Sequence, residues 1–426
     1  MRSRADVWLV VSAFVLSAMA VWVLTDTLIP DSGTPRAVVK EVEDLVRGYG
    51  VIQPTDEELA LAAASGMAAN LDPWSAAMSR ESVSADRMRY AGHYAGVGVV
   101  LEEIDAALTI LHVIKNSPAE RAGLQELERI VAVDGWAVPR ERAVEQARGR
   151  LRGEEGSLVR LRMANAAQEE REVEIRRAEV PEASVFGAML DDAPGVGVLV
   201  LERFHEQTAA EAETLLKALS AEGLKALVLD LRDNPGGLLN SPAHVAGYFL
   251  GDHKLVVRTA GARTHGELRV GASAPWAELP LVVLVDGRTA SSAEVLSAAL
   301  QDYARAPLVG ERTFGKGVVQ QSLNLESMPG AALRLTVAHY FAPSGRCIER
   351  SVGLAPGAAG RGGLIPDLTL ELSSDERVSA DHLRDRWRYS PAVRAHLGAR
   401  QRFSDPQLNA AVALLQGHAP ADRRLH

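Results

Sequence analysis

A mixed α/β (α+β) fold is predicted by three features of this 426-residue chain. Between residues 181 and 372, apolar runs such as GVGVLVLERF, ALVLDLR and LPLVVLV alternate with helical stretches at 206–221, 241–250 and 293–303. Strands that alternate with helices build a layered core. Ahead of that core, residues 90–178 switch to short strands with two helical interruptions. Earlier still, 37–47 and 56–69 carry the spacing of amphipathic helices.

The first element in chain order is apolar. Residues 7–24, VWLVVSAFVLSAMAVWVL, are eighteen uncharged and mostly apolar residues. As a helix they span about 27 Å, enough to cross a bilayer. Arg2 and Arg4 precede the run, and Trp8 and Trp22 lie near its ends, where interfacial aromatics sit. The expected arrangement is a single-pass membrane anchor with a cytoplasmic N-terminus and the remainder across the membrane. Cleavage after Ala18-Met19-Ala20 is the alternative, which makes residues 1–30 a signal. A linker with Pro30, Gly33 and Pro35 then leads into the helical segment, 31–89, which contains LDPWS at 71–75. Its helices suit packing on the rest of the chain or joining two chains into a homo-oligomer, and the sequence leaves both open.

Residues 90–178 read as a β-rich domain. Its strands are GVGVVLEEI, ALTILHVI, RIVAVDG, SLVRLRM and EVEIRR, with helices at 117–124 and 140–150. Gly96, Val97 and Gly98 form a loop whose backbone amides could hold a carboxylate while the next strand pairs with a peptide. The plainer reading is a structural glycine turn between strands. The region resembles a PDZ domain, with Leu127-Glu128 where such domains carry Gly-Asp.

The chemistry lies in the core, 179–372, within DGRTASSAEVLSAALQDYARAPLVGERTFGKGVVQQ at 286–321. Ser291 follows a strand and opens a helix. Lys316 comes twenty-five residues later between two glycines, and Gln320 four residues after that. A serine hydroxyl needs a base beside it to become a nucleophile. A lysine serves only as a neutral amine, which requires burial in apolar surroundings. Lowering its pKa by about three units costs roughly 4 kcal/mol. Phe314, Val318 and Val319 are the expected apolar cover. The chain has six lysines against forty arginines, and arginine cannot take this role because guanidinium does not deprotonate.

An oxyanion needs N–H donors. The amide of Ser292, at a helix N-terminus, is one candidate. A second is expected from LKALVLDLRDNPGGLL at 224–239, where Asn234-Pro235-Gly236-Gly237 turns sharply and Gly236 is the favoured donor. Asp230 and Arg232 are expected to pin this turn. A lone serine among small residues is more often a helix N-cap, and a lone Gly-flanked lysine more often a surface loop. It is their joint occurrence with the NPGG turn that points to catalysis. His205, His244 and His339 would be the bases of a rival histidine triad.

The DLRDNPGG turn, the serine cluster before Glu294, LQDYARAPLVGERTFGKGVVQQ and APSGR at 342–346 resemble the carboxyl-terminal processing peptidases, or tail-specific proteases. The similarity runs from about residue 58 to 367. It implies Ser291 as nucleophile, Lys316 as general base, Gln320 as the residue holding the lysine, and Ser292 and Gly236 as oxyanion-hole positions. It also implies a PDZ module that reports tail binding and protein substrates with free C-terminal tails, with an activating partner protein left open. The apolar segment at 7–24 and its arginines are what place the expected catalytic domain in the periplasm on the inner membrane. This sequence departs from the family in Thr289-Ala290-Ser291-Ser292-Ala293, in Cys347, and in the stretched link SVGLAPGAAGRGGLI before Pro366-Asp367.

Net charge of −9 argues against nucleic acid as a partner. No HExxH or paired cysteines point to a metal, and no cofactor is expected. Cys347 is the only cysteine, so no internal disulfide can form. The tail, 373–426, is charged, then helical at 405–416, with its last ten residues expected to be disordered. The expected activity is that of a membrane-anchored serine endopeptidase. A catalytically silent PDZ scaffold is the alternative. A His/Asp/Ser protease with a PDZ module would place the module after the protease, not before it.

Overall fold

The computed structural model describes residues 33–139, 143–350, 362–389, 393 and 404–418. The expected membrane segment at 7–24 and the last eight residues lie outside these. Among the described residues, no helix is long and apolar enough to cross a membrane. The chain divides into two units, one running to Arg80 and including Ser322–Leu335, the other comprising Glu81–Gln321 and Thr336–His426. The sequence pattern gave no sign that 322–335 would join the N-terminal helices.

In the first unit, α1 (Pro35–Tyr49) starts where Thr34 Oγ1 accepts the Ala37 amide and Pro35 presets the first turn. Helix α2 (Asp56–Ala69) opens on a reciprocal cap between Thr55 and Glu58, with three acids in its first turn. Asp72 then accepts the amides of Trp74 and Ser75, each at 2.7 Å, and turns the chain into strand β1 (Ala76–Met78). Strand β1 pairs antiparallel with Ala332 to Arg334.

The second unit begins with most of helix α3 (Arg80–Ala91) and strand β2 (His93–Gly96). An antiparallel sheet follows in the order β3 (Val99–Ile104), β4 (Ala107–Val113), β5 (Arg129–Val133), β7 (Leu158–Ala164) and β8 (Glu170–Arg176). The short β6 (Trp136–Ala137) pairs with β5, and β9 (Ala178–Pro181) closes back on β2. Helices α4 (Pro118–Arg121) and α5 (Ala143–Leu151) accompany the sheet, and Ile110, Val133, Ala147, Val159 and Met163 fill the core. Leu127 adopts φ +70° at the turn where the sequence lacks the expected glycine. The turn is kept at the cost of a strained leucine.

The core sheet has the order β10 (Val185–Met189), β11 (Val196–Leu201), β12 (Ala226–Asp230), β15 (Leu281–Val285), β16 (Leu308–Gly310) and β19 (Leu368–Thr369). Only β10 is antiparallel to its neighbour. Strands β11, β12 and β15 are buried throughout, as a sheet covered on both faces requires. Side chains alternate between the two faces. Leu199, Leu227 and Val283 point to the layer of α6 (Thr208–Ala221), α7 (Asn240–Gly247) and α8 (Ser292–Asp302). Val198, Val228 and Leu284 point to the layer of α10 (Pro406–Leu415). Helix α9 (Ser374–Asp385), in the stretch read only as charged and Arg-rich, precedes α10.

Strand β13 (Leu255–Ala260) pairs with β14 (His265–Arg269), and its end pairs with His339 to Phe341 of β18 (Ala332–Phe341). Strand β17 (Val318–Asn324) carries Gln320.

Candidate active site

Three neighbouring parallel strands deliver three loops to one edge of the core sheet. Strand β12 pairs with β15, Asp230 lying opposite Leu284, and β15 pairs with β16, Val285 lying opposite Gly310. Parallel strands finish side by side, so the loops after residues 230, 285 and 310 open onto a common crevice. These loops carry Gly236, Ser291 and Lys316, which are far apart in sequence.

Buried polar groups knit the first two loops. Asp286 is 2% exposed and accepts the amides of Asp233 (3.0 Å), Arg288 (3.1 Å) and Thr289 (2.9 Å). Burial alone would raise its pKa, but these hydrogen bonds and the Arg288 charge hold it below the usual carboxylate range. The Ala290 amide donates to Asn234 O at 2.9 Å. A Cβ on Gly236, whose φ is +93°, would come within 2.8 Å of both Ala290 O and Ser291 Cβ and 2.9 Å of the Ser292 amide. Only glycine permits the turn to lie this close to the candidate nucleophile.

Ser291 has φ +56° and ψ −120°, a conformation costing a residue with a side chain on the order of 1–3 kcal/mol. Such strain persists only where the surroundings hold it. Of the two serines, Ser292 is fully buried and its Oγ donates to Gly237 O at 2.8 Å, whereas Ser291 retains 9% exposure.

Glu294 joins the serine to the lysine loop. Its carboxylate is fully buried and accepts four donors: the Ser291 amide (2.9 Å), Thr313 Oγ1 (2.5 Å), the Gly315 amide (2.7 Å) and the Lys316 amide (2.8 Å). Burial pushes this carboxyl up, and the four donors pull against that rise. From the other side, Glu349 accepts the Gly317 amide at 2.7 Å. Two carboxylates therefore grip three consecutive amides around Lys316. Neither glutamate was given a role from sequence. The signal for Glu294 was its Ser-x-x-Glu spacing, a helix-start pattern; Glu349 left no comparable mark.

Phe314 is 42% exposed and follows Thr313, whose hydroxyl is held between Glu294 and the Leu364 amide. Val318 is buried and Val319 half-buried, as cover requires. The Gly236 amide is already engaged, donating to Asn234 Oδ1 at 2.8 Å. It can serve an oxyanion only by exchanging that partner. Gln320 is half-buried on β17.

The pinning of the turn is stronger than the sequence suggested. Arg232, buried at 5% exposure, makes bonds to both Asp230 oxygens and reaches Asp405 Oδ2 at 2.7 Å and Gln407 Oε1 at 3.1 Å, at the start of α10. Of the histidines weighed as bases, His205 is buried with Nε2 on Glu182 O and Nδ1 accepting the Gln207 amide, so both ring nitrogens are committed. His244 is exposed on α7. The loop at Gly96, Val97 and Gly98 stands between β2 and β3, with Val97 buried and Gly98 at φ +90°.

Residues 195–359 match Peptidase family S41, and 109–165 match the PDZ domain. The carboxy-terminal processing protease CtpA of Bacillus subtilis is 30% identical over 353 residues, 81% of this chain and 74% of that one. A carboxyl-terminal-processing protease of Picosynechococcus is 35% identical over 291 residues, 67% of this chain and 69% of that one. The chain belongs to the S41 family of carboxyl-terminal processing serine proteases. A solved photosystem II D1 C-terminal processing protease covers 79% of this chain and 93% of its own, at 28% identity and a TM-score of 0.46. The S41 match spans the three loops of the crevice, and the PDZ match falls inside the β3–β8 sheet.

Proposed function

We propose that this S41 chain is an endopeptidase of the Ser/Lys type that acts on proteins recognised by their C-terminal tails. The observation that carries the reading is the buried Glu294 carboxylate, which ties the strained Ser291 to the amide of Lys316. Neutral Lys316 takes the proton as Ser291 Oγ attacks the peptide carbonyl carbon. The resulting oxyanion is met by the Ser292 amide and an amide of the Gly236-Gly237 turn. Collapse expels the amine, which leaves with the proton held by Lys316. Water then hydrolyses the acyl-enzyme with the lysine again as base. Gln320 holds the lysine side chain in place. A fluorophosphonate probe should label Ser291 in the wild type and nothing in Ser291→Ala. An unlabelled wild type that still binds tails would make the chain a silent scaffold.

Tail reading rests on the Gly96-Val97-Gly98 loop and on β3, the end strand of its sheet. Peptides with a free apolar C-terminus are expected to bind and speed cleavage. Amidation removes a charge-assisted hydrogen bond, on the order of 1.5–3 kcal/mol, and should weaken binding roughly tenfold to a hundredfold. Equal binding of free and amidated peptides would leave the domain a structural role.

The same reading anchors the chain in the inner membrane through residues 7–24, with the protease in the periplasm. It should resist a high-salt wash, since apolar insertion is not screened. A mature N-terminus just after Ala20 would replace the anchor with a cleaved signal.

A further inference from the structure

The strand that would receive a tail also touches the C-terminal tail of this chain. Side chains of β3 alternate: Val99 and Leu101 pack into the core of the PDZ sheet, whereas Val100 and Ile104 pack against Leu111, Tyr389 and Val393. Glu102, on the latter face, lies 3.3 Å from His382 Nε2. The segment that β3 meets here is the end of α9 and the few residues after it.

Another face of α9 holds the candidate active site. Arg377, Asp381 and Arg384 are spaced four and three apart, which aligns them on one side of the helix. Arg377 reaches Glu311 at 2.7 Å, and Asp381 lies 3.6 Å from Arg288 beside the Ser291 loop. Arg384, 7% exposed, donates to the Arg232 carbonyl at 3.3 Å and to Asp233 Oδ2 at 3.4 Å. Both contacts fall on the turn whose Gly236 amide is engaged by Asn234. One short helix thus grips the turn on one side and the tail-receiving strand on the other.

We propose that α9 transmits tail occupancy of β3 to the oxyanion turn, with Arg384 as the positioning residue at the turn and His382 and Tyr389 as the contacts on the PDZ side. A peptide strand added to β3 changes the surface that His382 and Tyr389 rest on, and α9 carries the change to residues 232–236. The ligand is a protein tail with a free carboxylate, so the proposal rests on the tail-reading function above.

The test uses the full chain, a fluorogenic peptide substrate, and a short peptide ending in a free valine or its amide. His382→Ala and Tyr389→Ala should bind the free peptide within about twofold of wild type and keep basal turnover, yet lose its stimulation. Arg384→Gln should lower kcat on the order of tenfold to a hundredfold with KM little changed, as a displaced oxyanion donor does. Arg384→Lys, which keeps the charge, should recover part of that loss. Leu219→Ala, a buried change in α6 remote from α9, controls for stability and should keep stimulation. Full stimulation in the His382 and Tyr389 variants, or unchanged kcat in Arg384→Gln, would overturn the transmission while leaving tail binding intact. A wild type that binds no free tail would instead overturn the tail reading and the transmission with it.

Discussion

Lys316→Arg is expected to leave no measurable peptide hydrolysis, a loss of about 10⁴-fold or more, with the fold retained. Arginine has at least the reach of lysine, and the two glutamates grip this loop by its backbone: Glu294 takes the amides of Gly315 and Lys316, and Glu349 that of Gly317. None of those bonds depends on the side chain at 316. What arginine cannot do is give up a proton near neutral pH and accept one from Ser291. Ser291→Ala should be as inactive, and Lys316→Arg combined with Ser291→Ala no worse than either, because nucleophile and base act as a unit. Wild-type turnover should rise with pH as the lysine loses its proton. The decisive measurement is single-turnover hydrolysis alongside thermal unfolding. Substantial turnover in Lys316→Arg would sink the lysine-base assignment.

Glu294→Gln is expected to damage stability and activity together. Each carboxylate oxygen accepts two donors, Oε2 from Ser291 and Lys316, Oε1 from Thr313 and Gly315. Glutamine is isosteric but brings an NH₂ to one of those positions. With the NH₂ at Oε2 it faces the Ser291 and Lys316 amides; at Oε1 it faces the Gly315 amide, while the Thr313 hydroxyl can turn and accept from it. At about 1–3 kcal/mol for an unsatisfied group, the better orientation costs roughly 1–3 kcal/mol. Misplacing Ser291 relative to the lysine loop should lower kcat by about a hundredfold or more. Urea unfolding and kcat on one preparation check both effects. A variant with the wild-type midpoint and wild-type kcat would show that Glu294 holds nothing the reaction needs.

Much of this crevice was legible because the signals were local. Apolar runs marked β11, β12 and β15, and glycine with proline marked the turn after Asp230. What sequence could not supply was the parallel order that brings residues 236, 291 and 316 to one edge, since strand neighbours depend on long-range packing. Glu294 was visible yet mute: its spacing announces a helix cap, and only the fold shows that the same carboxylate reaches the loop at 313–316. Helix α9 was hidden by its charge; its arginines serve the core loops and not solvent alone. Leu127 shows that a turn with positive φ can form without glycine.

The Arg232–Asp405 contact imposes an order on how this molecule comes into being. Arg232 and Asp405 stand 173 residues apart in the chain, and both are buried. Until residue 405 has been made, the guanidinium has Asp230 alone to offset it, and the turn beside it lacks half of its anchor. Ser291 and Lys316 are synthesised well before that. A nascent chain therefore carries the candidate nucleophile and base early and the brace for the 232–236 turn late. Folding to the braced state waits for the tail, and the buried Arg232–Asp405 pair is what closes it.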